Sequence, residues 1–471
     1  MKRNTEYDTW KLIHDDLQFA ITNMKTTSES GRVNKYVAAA LMSRAMLYAG
    51  SIAKYTDQLG FKTTEKAAID GLAGMDPSKA NEFFQYSIDA GMLIENSGKY
   101  SLYNKNADKA LNFANIFIDG TSPENIWVKH NDITTPGNLG LKHTYDCLMC
   151  PAPDMSTFVG AESYPPLDFM KLFDFPAITN ADGTPKRFAK RSDVTIGMEP
   201  RLRGSVYFDG DQLRGKTFDI QRGIYQDFGT ALATDAQNGS SNAPINKMVM
   251  ADGKTNRIVG KKDEFYKGIR ICGLHGQKDN EGQENNTYTG AFVRKYVNTN
   301  QPTNLVNVNT CYQDWIMFRL GEIYMNLAEA YYEIGNKTVA FDYIQKIRER
   351  AGTTNARHDV NADDPSSVAK YGYAVSGDLQ FIRDERYREL WGENHRWWDL
   401  RRWRTVSFVL NQYIPRSLQC YYEMSSGKYI FIDEAHKDNR NWTASKASNY
   451  EPIPGAELAK NPKLLPNNPL R

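Results

Sequence analysis

The beginning of the chain carries two stretches in which apolar side chains recur every three or four positions, the period of a helix with one apolar face. The first runs over residues 9–24. The second, over residues 36–55, is rich in alanine, whose small side chain lets a neighbouring helix approach closely. A Thr-Thr-Ser-Glu-Ser-Gly segment separates them, so the pattern predicts a helical hairpin. The apolar positions of the first helix are Trp10, Ile13, Leu17, Ala20, Ile21 and Met24.

Two more pairs of helices are predicted further along the chain. One pair covers residues 79–96 and 106–118. The other covers residues 314–334 and 337–351, joined by Gly335-Asn336. Hairpins of this size resemble tetratricopeptide units, in which each pair buries its apolar face only by stacking on the next. The pattern therefore predicts a mostly α-helical chain with a tetratricopeptide-like scaffold.

The helical period is lost between about residues 130 and 310. Clusters of Gly, Pro, Asn and Asp replace it there, with short β-prone pieces such as residues 205–208, which predicts a large loop-rich insertion containing short β-strands. Residues 404–471 are also predicted to be mainly loop. We expect a single domain over residues 1–471. Its parts are a helical-repeat scaffold at 1–129 and 311–403, the insertion at 130–310 and a loop-rich C-terminal segment at 404–471.

Charge and composition bear on the possible partners. Lysine and arginine exceed aspartate and glutamate by only 58 − 56 = 2, so no overall field favours nucleic acid or an anionic membrane surface. Aromatic residues make up 12% of the chain, which suggests a stacking surface or a crowded core. No stretch approaches the roughly 20 apolar residues that span a bilayer, and the first residues lack the apolar region of a signal peptide.

Cysteines and acidic residues indicate neither a metal site nor a cofactor. The five cysteines are odd in number and widely spaced, unlike a disulfide framework. Cys147 and Cys150 form a C-x-x-C, but no second pair completes a zinc site and His143 alone leaves it a ligand short. The acidic pairs lack the alternating pattern of a calcium loop. We therefore expect no resident metal or cofactor.

The densest chemistry in the chain lies at residues 382–402. It reads Ile-Arg-Asp-Glu-Arg-Tyr-Arg-Glu-Leu and then, after Trp391, Gly-Glu-Asn-His-Arg-Trp-Trp-Asp-Leu-Arg-Arg. Three other segments accompany it: Glu-Pro-Arg-Leu at 199–202, Asp-Trp-Ile-Met-Phe-Arg-Leu-Gly-Glu-Ile-Tyr at 314–324, and a tail with Pro-Ile-Pro at 452–454 and Pro-Asn-Asn-Pro at 466–469. Together, over residues 6–471, they resemble the motifs of the SusD/RagB family of outer-membrane nutrient-binding lipoproteins. The family's usual final aromatic is replaced by Leu470-Arg471.

This resemblance implies a function, a partner and a location. It implies non-catalytic binding of oligosaccharide or polysaccharide at the cell surface, with delivery to a SusC-like TonB-dependent transporter. It also implies attachment to the outer membrane through an N-terminal lipid anchor. The chain departs from the family at its start, because Met1 falls directly on a helix that family members carry later. We therefore expect an N-terminally truncated version without the anchor.

The arginines and tryptophans at 382–402 are interpreted as a structural brace. Arginine stems and tryptophan faces pack through stacking and cation–π contacts, and the neighbouring acids can pair the guanidinium groups. Interleaved arginine and aromatics can also stack on single-stranded nucleic acid, but the same acids and the near-neutral total charge oppose that interpretation. The residues given the structural role are Arg386, Glu389, Glu393, His395, Arg396, Trp397, Trp398, Asp399 and Arg401.

Glu393, His395 and Asp399 also permit an enzymatic interpretation. A glycosidase needs two carboxylates across the scissile bond, and histidine can move protons. These acids lie among several arginines, whose charge keeps a carboxylate pKa low and suits a salt bridge better than a general acid. We therefore expect no catalysis. A helical glycosidase and a peptide-binding tetratricopeptide scaffold are the alternatives.

Ligand contacts are expected on the insertion rather than in the shared motifs. A sugar ring presents an apolar C–H face that stacks on an aromatic ring, while Asn, Asp, Arg or His bond its hydroxyls. The loop after Trp127 has that mixture, although core packing is the alternative for each aromatic. The predicted ligand-binding residues are His130, Asn131, Asp132, His143, Tyr145, Phe158 and Tyr164.

Overall fold

A computed structural model describes most of the 471 residues. The described residues are 2–132, 142–151, 155–157, 159–228, 246–249, 255–276, 286–353, 363–435 and 442–471, with the side chains of 246–249 and 255–256 left out. Phe158, one of the predicted ligand-binding residues, lies outside them. Helices account for 42% of the described residues and strands for 13%, so the prediction of a mostly helical chain is confirmed.

The longer helices form the scaffold, and short ones are spread through the rest of the chain. In the described part of the chain the α-helices are α1 (Glu6–Asn23), α2 (Lys35–Tyr55), α3 (Lys66–Ile69), α4 (Ala80–Glu95), α5 (Lys109–Asn115), α6 (Tyr145–Met149), α7 (Leu167–Met170), α8 (Pro200–Ser205), α9 (Leu320–Glu333), α10 (Lys337–Ala351), α11 (Ser367–Tyr371), α12 (Gly377–Leu390), α13 (Arg396–Arg402), α14 (Val406–Val409) and α15 (Gly455–Lys460).

Strands are mostly short and antiparallel. Those described are β1 (Asn125–Lys129), β2 (Arg187–Phe188), β3 (Val206–Tyr207), β4 (Gln212–Leu213), β5 (Lys216–Thr217), β6 (Gly223–Tyr225), β7 (Asn246–Val249), β8 (Thr255–Val259), β9 (Phe265–Tyr266), β10 (Ile269–Arg270), β11 (Phe292–Val293), β12 (Trp315–Arg319), β13 (Arg416–Glu423) and β14 (Lys428–Ala435).

The scaffold is a stack of helices whose starts are fixed by side-chain caps. The Asn34 side chain accepts hydrogen bonds from the backbone N–H groups of Tyr36 and Val37, at 2.9 and 3.2 Å, and so begins α2. Helix α2 packs against α1 and α4, α4 against α9, and α9 against α10 and α12. The predicted hairpins α1–α2 and α9–α10 are present. The predicted second pair is not a hairpin, because α4 packs mainly on α2 and α9 whereas α5 packs mainly on α8.

Two glycines set how closely the central helices approach. A Cβ added to Gly50 on α2 would lie 2.6 Å from the ring of Phe84 on α4, and one added to Gly91 on α4 would lie 2.8 Å from a methyl group of Leu327 on α9. Real side chains do not pack at such distances. The order α2–α4–α9 therefore depends on the missing side chains at these two positions.

Helix α2 is apolar enough to raise the question of a membrane. Among the described residues one helical stretch, Lys35–Leu59, passes a test of length and composition for crossing a bilayer, in contrast to the expectation from sequence. In this fold 78% of its apolar window is buried, and α2 packs against both α1 and α4. Its composition is accordingly that of a core helix.

Residues 314–319 differ from the prediction of a helix beginning at residue 314. They include β12, which pairs antiparallel with β1, and α9 begins only at Leu320. Four consecutive aromatic, β-branched or long apolar residues, Trp315 to Phe318, favour an extended strand, in which Ile316 and Phe318 are buried and Trp315 and Met317 are half-buried. This pairing attaches the start of the insertion to the scaffold.

Residues 416–435 differ from the predicted C-terminal loop. They form the hairpin β13–β14, which lies in a six-stranded sheet of order β2-β14-β13-β6-β8-β7. Strand β13 pairs parallel with β6 of the insertion. Six of the eight residues of β13 are buried, so the strand lacks the alternation of apolar and polar residues that marks a half-exposed strand. The C-terminal segment thus completes the sheet of the insertion.

A buried ionic cluster, which we call the anchor network, joins the insertion to the scaffold. Arg201 contributes an ion pair to Glu385 at 2.7 Å, and Lys295 contributes one to Glu393 at 2.7 Å. Arg319 on β12 pairs with Glu389 at 2.7 Å and with Glu393 at 2.7 Å. The members of the anchor network are Glu124, Arg201, Lys295, Arg319, Arg348, Arg350, Glu385, Glu389 and Glu393.

The arginines of the anchor network keep Glu389 and Glu393 ionised. Burial alone would raise the pKa of Glu389, but Arg350, Arg319 and Arg201 outweigh it and keep that pKa well below its usual range. Burial lowers the pKa of the Lys295 ammonium to about 8, in spite of Glu393. Removing one member of such a buried pair leaves an uncompensated charge and costs about 3–5 kcal/mol. The network therefore acts as a structural joint.

Candidate functional site

A cavity of about 460 Å³ lies between α1, α2, β12 and the junction of α12 with α13. This volume falls within the roughly 300–1,000 Å³ of small-molecule sites. Its wall includes five aromatic side chains from four separate parts of the chain: Trp10, Tyr48, Trp315, Phe318 and Trp398.

The aromatic wall offers ring faces to a ligand. Trp398 on α13 is 44% exposed, although large aromatic side chains are usually well buried. The rings of Trp10 and Tyr48 lie 5.8 Å apart and 35° from parallel, so α1 and α2 contribute one continuous aromatic surface. Surfaces of this kind stack on flat apolar groups.

An ion pair lies beside the aromatic wall, in the polar part of the lining. Arg44 donates from Nε and Nη2 to the two carboxylate oxygens of Glu322, both at 2.6 Å, and Nη2 also donates to the carbonyl of Met317 at 2.8 Å. Its guanidinium carbon lies 4.0 Å from the centre of the Phe318 ring. Burial would raise the pKa of Glu322, but Arg44 and then His395 outweigh it and lower that pKa.

His395 is a neutral imidazole with one nitrogen directed to a cation. Burial lowers its pKa to about 4, even though Glu322 favours the charged form. Nδ1 lies 3.5 Å from Nη2 of Arg386, and a guanidinium can only donate. We therefore assign the proton to Nε2, which is 4.0 Å from Glu322 Oε2. That distance is too long for a hydrogen bond, so the Nε2–H group is available to a ligand.

Glu393 and Asp399 are fully ionised carboxylates. Arg319 and Lys295 lower the pKa of Glu393 to about 2 against the effect of burial, which would raise it. Arg386 and Arg402 do the same for Asp399, whose pKa is also about 2. Neither group holds a proton near neutral pH. Together with Asn394 and His395 they supply hydrogen-bonding groups around the aromatic wall.

A second depression, of about 560 Å³, adjoins the cavity. Met317 on β12 lines both. Trp127 and His130 line the second one, together with the loop at Ser30 to Arg32. A ligand can therefore extend from the cavity to this depression across Met317.

The structure brings three of the predicted ligand-binding residues together at Gln313 and Asp314. Nδ1 of His130 lies 2.8 Å from Asp314 Oδ2, and the backbone N–H of Asn131 donates to Asp314 Oδ1 at 2.8 Å. His143 contacts the carbonyl of Gln313 through Nε2 at 2.8 Å. Of these, His130 lines the second depression.

Three other predicted ligand-binding residues, Asp132, Tyr145 and Tyr164, do not line the second depression. Asp132 directly follows Asn131 and is half-buried. Tyr145 donates its hydroxyl to the carbonyl of Lys295 at 2.9 Å, and its ring packs edge-on against Trp315 at 5.8 Å. Tyr164 lies edge-on to Tyr288, with ring centres 5.4 Å apart. Tyr145 therefore packs inside the protein, away from the depression.

The residues of the structural motif fall into three groups. Arg386, Glu389, Glu393 and Asp399 take part in buried ion pairs, and Arg396 lies 4.3 Å from the centre of the Tyr387 ring. His395 and Trp398 line the cavity, as do Arg386, Glu393 and Asp399. The last two contact the C-terminal segment: the ring centres of Trp397 and Trp442 lie 6.5 Å apart, and Arg401 pairs with Glu451 at 3.0 Å.

The site role of His395 and Trp398 is missed by sequence reasoning. Gly392, with a φ of +77°, and Asn394, with a φ of +65°, lie between α12 and α13 and separate the two helices. The break turns one face of α13 toward α1 and α2. A glycine within the motif is the available signal for that break.

Comparison with known proteins gives one consistent result. A profile of the SusD family matches residues 123–470. Two relatives from Formosa agariphila, SusD-like protein P25 and SusD-like protein P2, are 39% identical over 88 residues and 27% identical over 158 residues. These matches cover 19% and 33% of this chain but only 15% and 26% of the relatives, well under two thirds of their length.

Solved structures show the same fold. A SusD-like protein from Bacteroides fragilis NCTC 9343 superposes with a TM-score of 0.61 at 18% identity, covering 99% of this chain and 72% of that one. A SusD-like carbohydrate binding protein from the same organism gives 0.55 at 16% identity, with the same coverage of 99% and 72%. At these identities the likeness concerns the fold, and it confirms the tetratricopeptide-like helical architecture.

Proposed function

The chain belongs to the SusD family, and from this premise we propose that it is a non-catalytic protein that binds oligosaccharide or polysaccharide at the cell surface. One solved structure of the same fold is described as a carbohydrate binding protein. The observation that carries the proposal for this chain is the composition of the cavity wall, in which aromatic side chains, with Trp398 well exposed, stand beside hydrogen-bonding groups.

The cavity suits the two chemical faces of a sugar. The C–H face of a pyranose ring stacks on an aromatic ring, and Trp398 presents such a ring with 44% of its surface exposed. Hydroxyl groups at the edge of the sugar need donors and acceptors. The Nε2–H of His395 donates, and Asn394 can do both. The Arg44–Glu322 pair holds the polar part of the wall in place.

The protonation states in the cavity argue against hydrolysis. A glycosidase needs one protonated carboxylic acid to protonate the leaving oxygen. Arginine and lysine neighbours hold the pKa of Glu393 at about 2 and that of Asp399 at about 2, in opposition to burial. Such groups are ionised at neutral pH and cannot act as general acids there. The cavity is therefore suited to binding without turnover.

The proposed partner is a SusC-like TonB-dependent transporter in the outer membrane, to which the bound glycan is delivered. Membership of the family supports both the partner and the location. Co-purification with the transporter from outer-membrane extracts, together with accessibility to protease added to whole cells, tests them. Absence of the transporter from the purified complex, or protection from protease, would contradict this part of the proposal.

A panel of neutral and acidic polysaccharides tests the binding function. We expect titration calorimetry to detect at least one glycan ligand, and Trp398→Ala to weaken its binding about tenfold or more, which corresponds to about 1.4 kcal/mol. Trp442→Ala is the matched control, since Trp442 is similarly exposed, at 50%, but does not line the cavity. Equal losses in the two variants would exclude the cavity as the site.

Product analysis separates binding from catalysis. We expect the bound glycan to be recovered intact after long incubation. Release of shorter sugars that is abolished in Glu393→Gln would establish a glycosidase. Binding of extended peptides with no glycan bound would instead favour a tetratricopeptide scaffold.

A further inference from the structure

We propose that the second depression, around Trp127, binds an anionic sugar unit bearing a carboxylate or a sulfate ester, so that the ligand is an acidic polysaccharide. This inference rests on the proposed glycan-binding function and names its substrate class. It follows from the charges, the aromatic floor and the position of the depression.

The charge of the depression is one-sided. Within the described part of the chain its lining includes Arg32 and Lys129, both exposed, and His130, but neither an aspartate nor a glutamate. Among the described residues no carboxylate lies within 4.0 Å of the charged group of Arg32 or of Lys129, the limit for an ion pair. The two cations therefore keep their charge available to a ligand. This contrasts with the chain as a whole, whose net charge is only +2.

His130 holds the two sides of the depression together. Its Nδ1 lies 2.8 Å from Asp314 Oδ2, before β12, and its Nε2 lies 2.7 Å from the hydroxyl of Ser30, in the loop after α1. An ionised carboxylate can only accept, so Nδ1 donates to Asp314. Asp314 also accepts a hydrogen bond from the backbone N–H of Asn131. Its two carboxylate oxygens therefore bind His130 and Asn131 rather than Arg32 or Lys129.

Trp127 forms a fixed aromatic floor. Its indole N–H donates to the carbonyl of Gly31 at 3.0 Å, and its ring stacks on Phe318 at 6.2 Å, 21° from parallel. Because the ring is already oriented, a sugar that stacks on it loses little binding free energy to ordering the protein. A pyranose on this floor brings a carboxylate or sulfate substituent near Arg32 and Lys129.

The depression continues the proposed glycan site. Met317 lies in the walls of both the cavity and the depression. A polysaccharide that occupies the cavity can therefore continue past Met317 into the depression. Guanidinium and ammonium groups attract carboxylates and sulfates, and at exposed positions this attraction is screened by salt.

Binding of matched neutral and acidic glycans to the full chain tests the proposal. The probes are polygalacturonate, a sulfated galactan and the same galactan after desulfation. We expect at least one acidic probe to bind tenfold or more tightly than the desulfated galactan at 50 mM salt, and the advantage to shrink at 500 mM. The two acidic probes decide between a carboxylate and a sulfate ester.

Charge-neutralising variants locate the effect. The double variant Arg32→Gln/Lys129→Gln is expected to lose at least tenfold in affinity for the acidic probe. Lys216→Gln/Lys463→Gln is the control, because it removes the same charge from two exposed lysines outside the depression. Equal affinities of the two double variants would overturn the proposal.

These experiments distinguish a failure of the acidic-glycan inference from a failure of the proposed glycan-binding function. Neutral glycans that bind in a Trp398-dependent way, with no preference for acidic ones, would refute the acidic class and leave glycan binding in place. Binding of no glycan in the panel would refute both. Binding of anionic lipid vesicles without any acidic glycan would also overturn the inference.

Discussion

Arg402 and Glu329 form a two-point ion pair in the core of the protein. Nη1 of the arginine lies 2.5 Å from Oε1, and Nη2 lies 2.6 Å from Oε2. The indole N–H of Trp403 donates to the same carboxylate at 2.6 Å. Both charges are buried, so the pair fixes α13, which carries Trp398, on α9.

Replacing Glu329 by glutamine is expected to destabilise the protein strongly. The neutral amide keeps the size of the side chain but leaves Arg402 with less compensation in a buried position. We expect the free energy of unfolding to fall by about 3–5 kcal/mol, measured by urea denaturation followed by tryptophan fluorescence.

Glu457→Gln is the control for this change. Glu457 pairs with Lys460 on the surface of α15, and surface pairs contribute about 0–1 kcal/mol. If the free energy of unfolding falls no further in Glu329→Gln than in the control, the Arg402–Glu329 pair does not fix α13 on α9.

Acidification is expected to destabilise the protein through His395 before Glu393 and Asp399 take up protons. Burial lowers the folded pKa of His395 from 6.5 to about 4. Below pH 6.5 the unfolded chain therefore binds a proton that the folded protein does not, and stability falls as the pH decreases towards 4. Between pH 7.5 and 5 this amounts to about 2 kcal/mol. This loss of stability begins at a higher pH than the loss from Glu393 and Asp399. The pKa values of these two carboxylates are depressed to about 2, so the stability that they contribute is lost only at lower pH.

The His395→Gln variant isolates this effect. Urea denaturation at a series of pH values is expected to show a smaller loss of stability in the variant than in the parent protein. Identical slopes of stability against pH in the variant and the parent protein would show that His395 does not titrate as proposed.

Glycan binding in the cavity is expected to be independent of pH between 6 and 8. None of His395, Glu393 and Asp399 changes its protonation in that interval, given their pKa values of about 4, 2 and 2. We expect the affinity for a neutral glycan to vary by less than about threefold, which is about 0.6 kcal/mol. Calorimetric titration at three pH values measures it. A tenfold change centred near pH 6.5 would indicate a protonating histidine in the site.

Adding one methyl group between the central helices is expected to disturb the scaffold. Gly50→Ala and Gly91→Ala place a Cβ 2.6 Å from Phe84 and 2.8 Å from Leu327. Overpacking of this kind costs about 1–3 kcal/mol, measured as a lower midpoint of thermal unfolding. Gly120→Ala is the control, since a Cβ there meets nothing within 4 Å. An increase in stability in either core variant would show that the helices can separate without cost.

Local sequence patterns predict the scaffold helices well. The three- and four-residue period of α1, and the turn at Gly335-Asn336 between α9 and α10, are visible along the chain. The hairpin β13–β14 is missed because β13 is buried on both faces and lacks alternation. Its Ser-Ser-Gly turn between two aromatic-rich stretches is the signal that was available.

The cavity cannot be predicted in the same way. Its wall combines Trp10, Tyr48, Phe318 and Trp398, which are separated by up to several hundred positions and meet only after the helices stack. Each of these aromatics, taken alone, has the pattern of a core residue. Whether such an aromatic residue lies in the core or lines the cavity is decided by how the helices pack, and the local sequence pattern does not contain that information.

The parallel pairing of β6 with β13 has a consequence for the order in which the parts of the chain fold. Tyr421 on β13 lies opposite Gly223 on β6, so the middle of the six-stranded sheet joins segments made far apart in time. Contacts between distant segments form late and slow folding. Helices α1, α2 and α4 can pack as soon as they are made. The insertion must wait, with the edge of β6 open, until β13, which begins only at Arg416, is available for pairing.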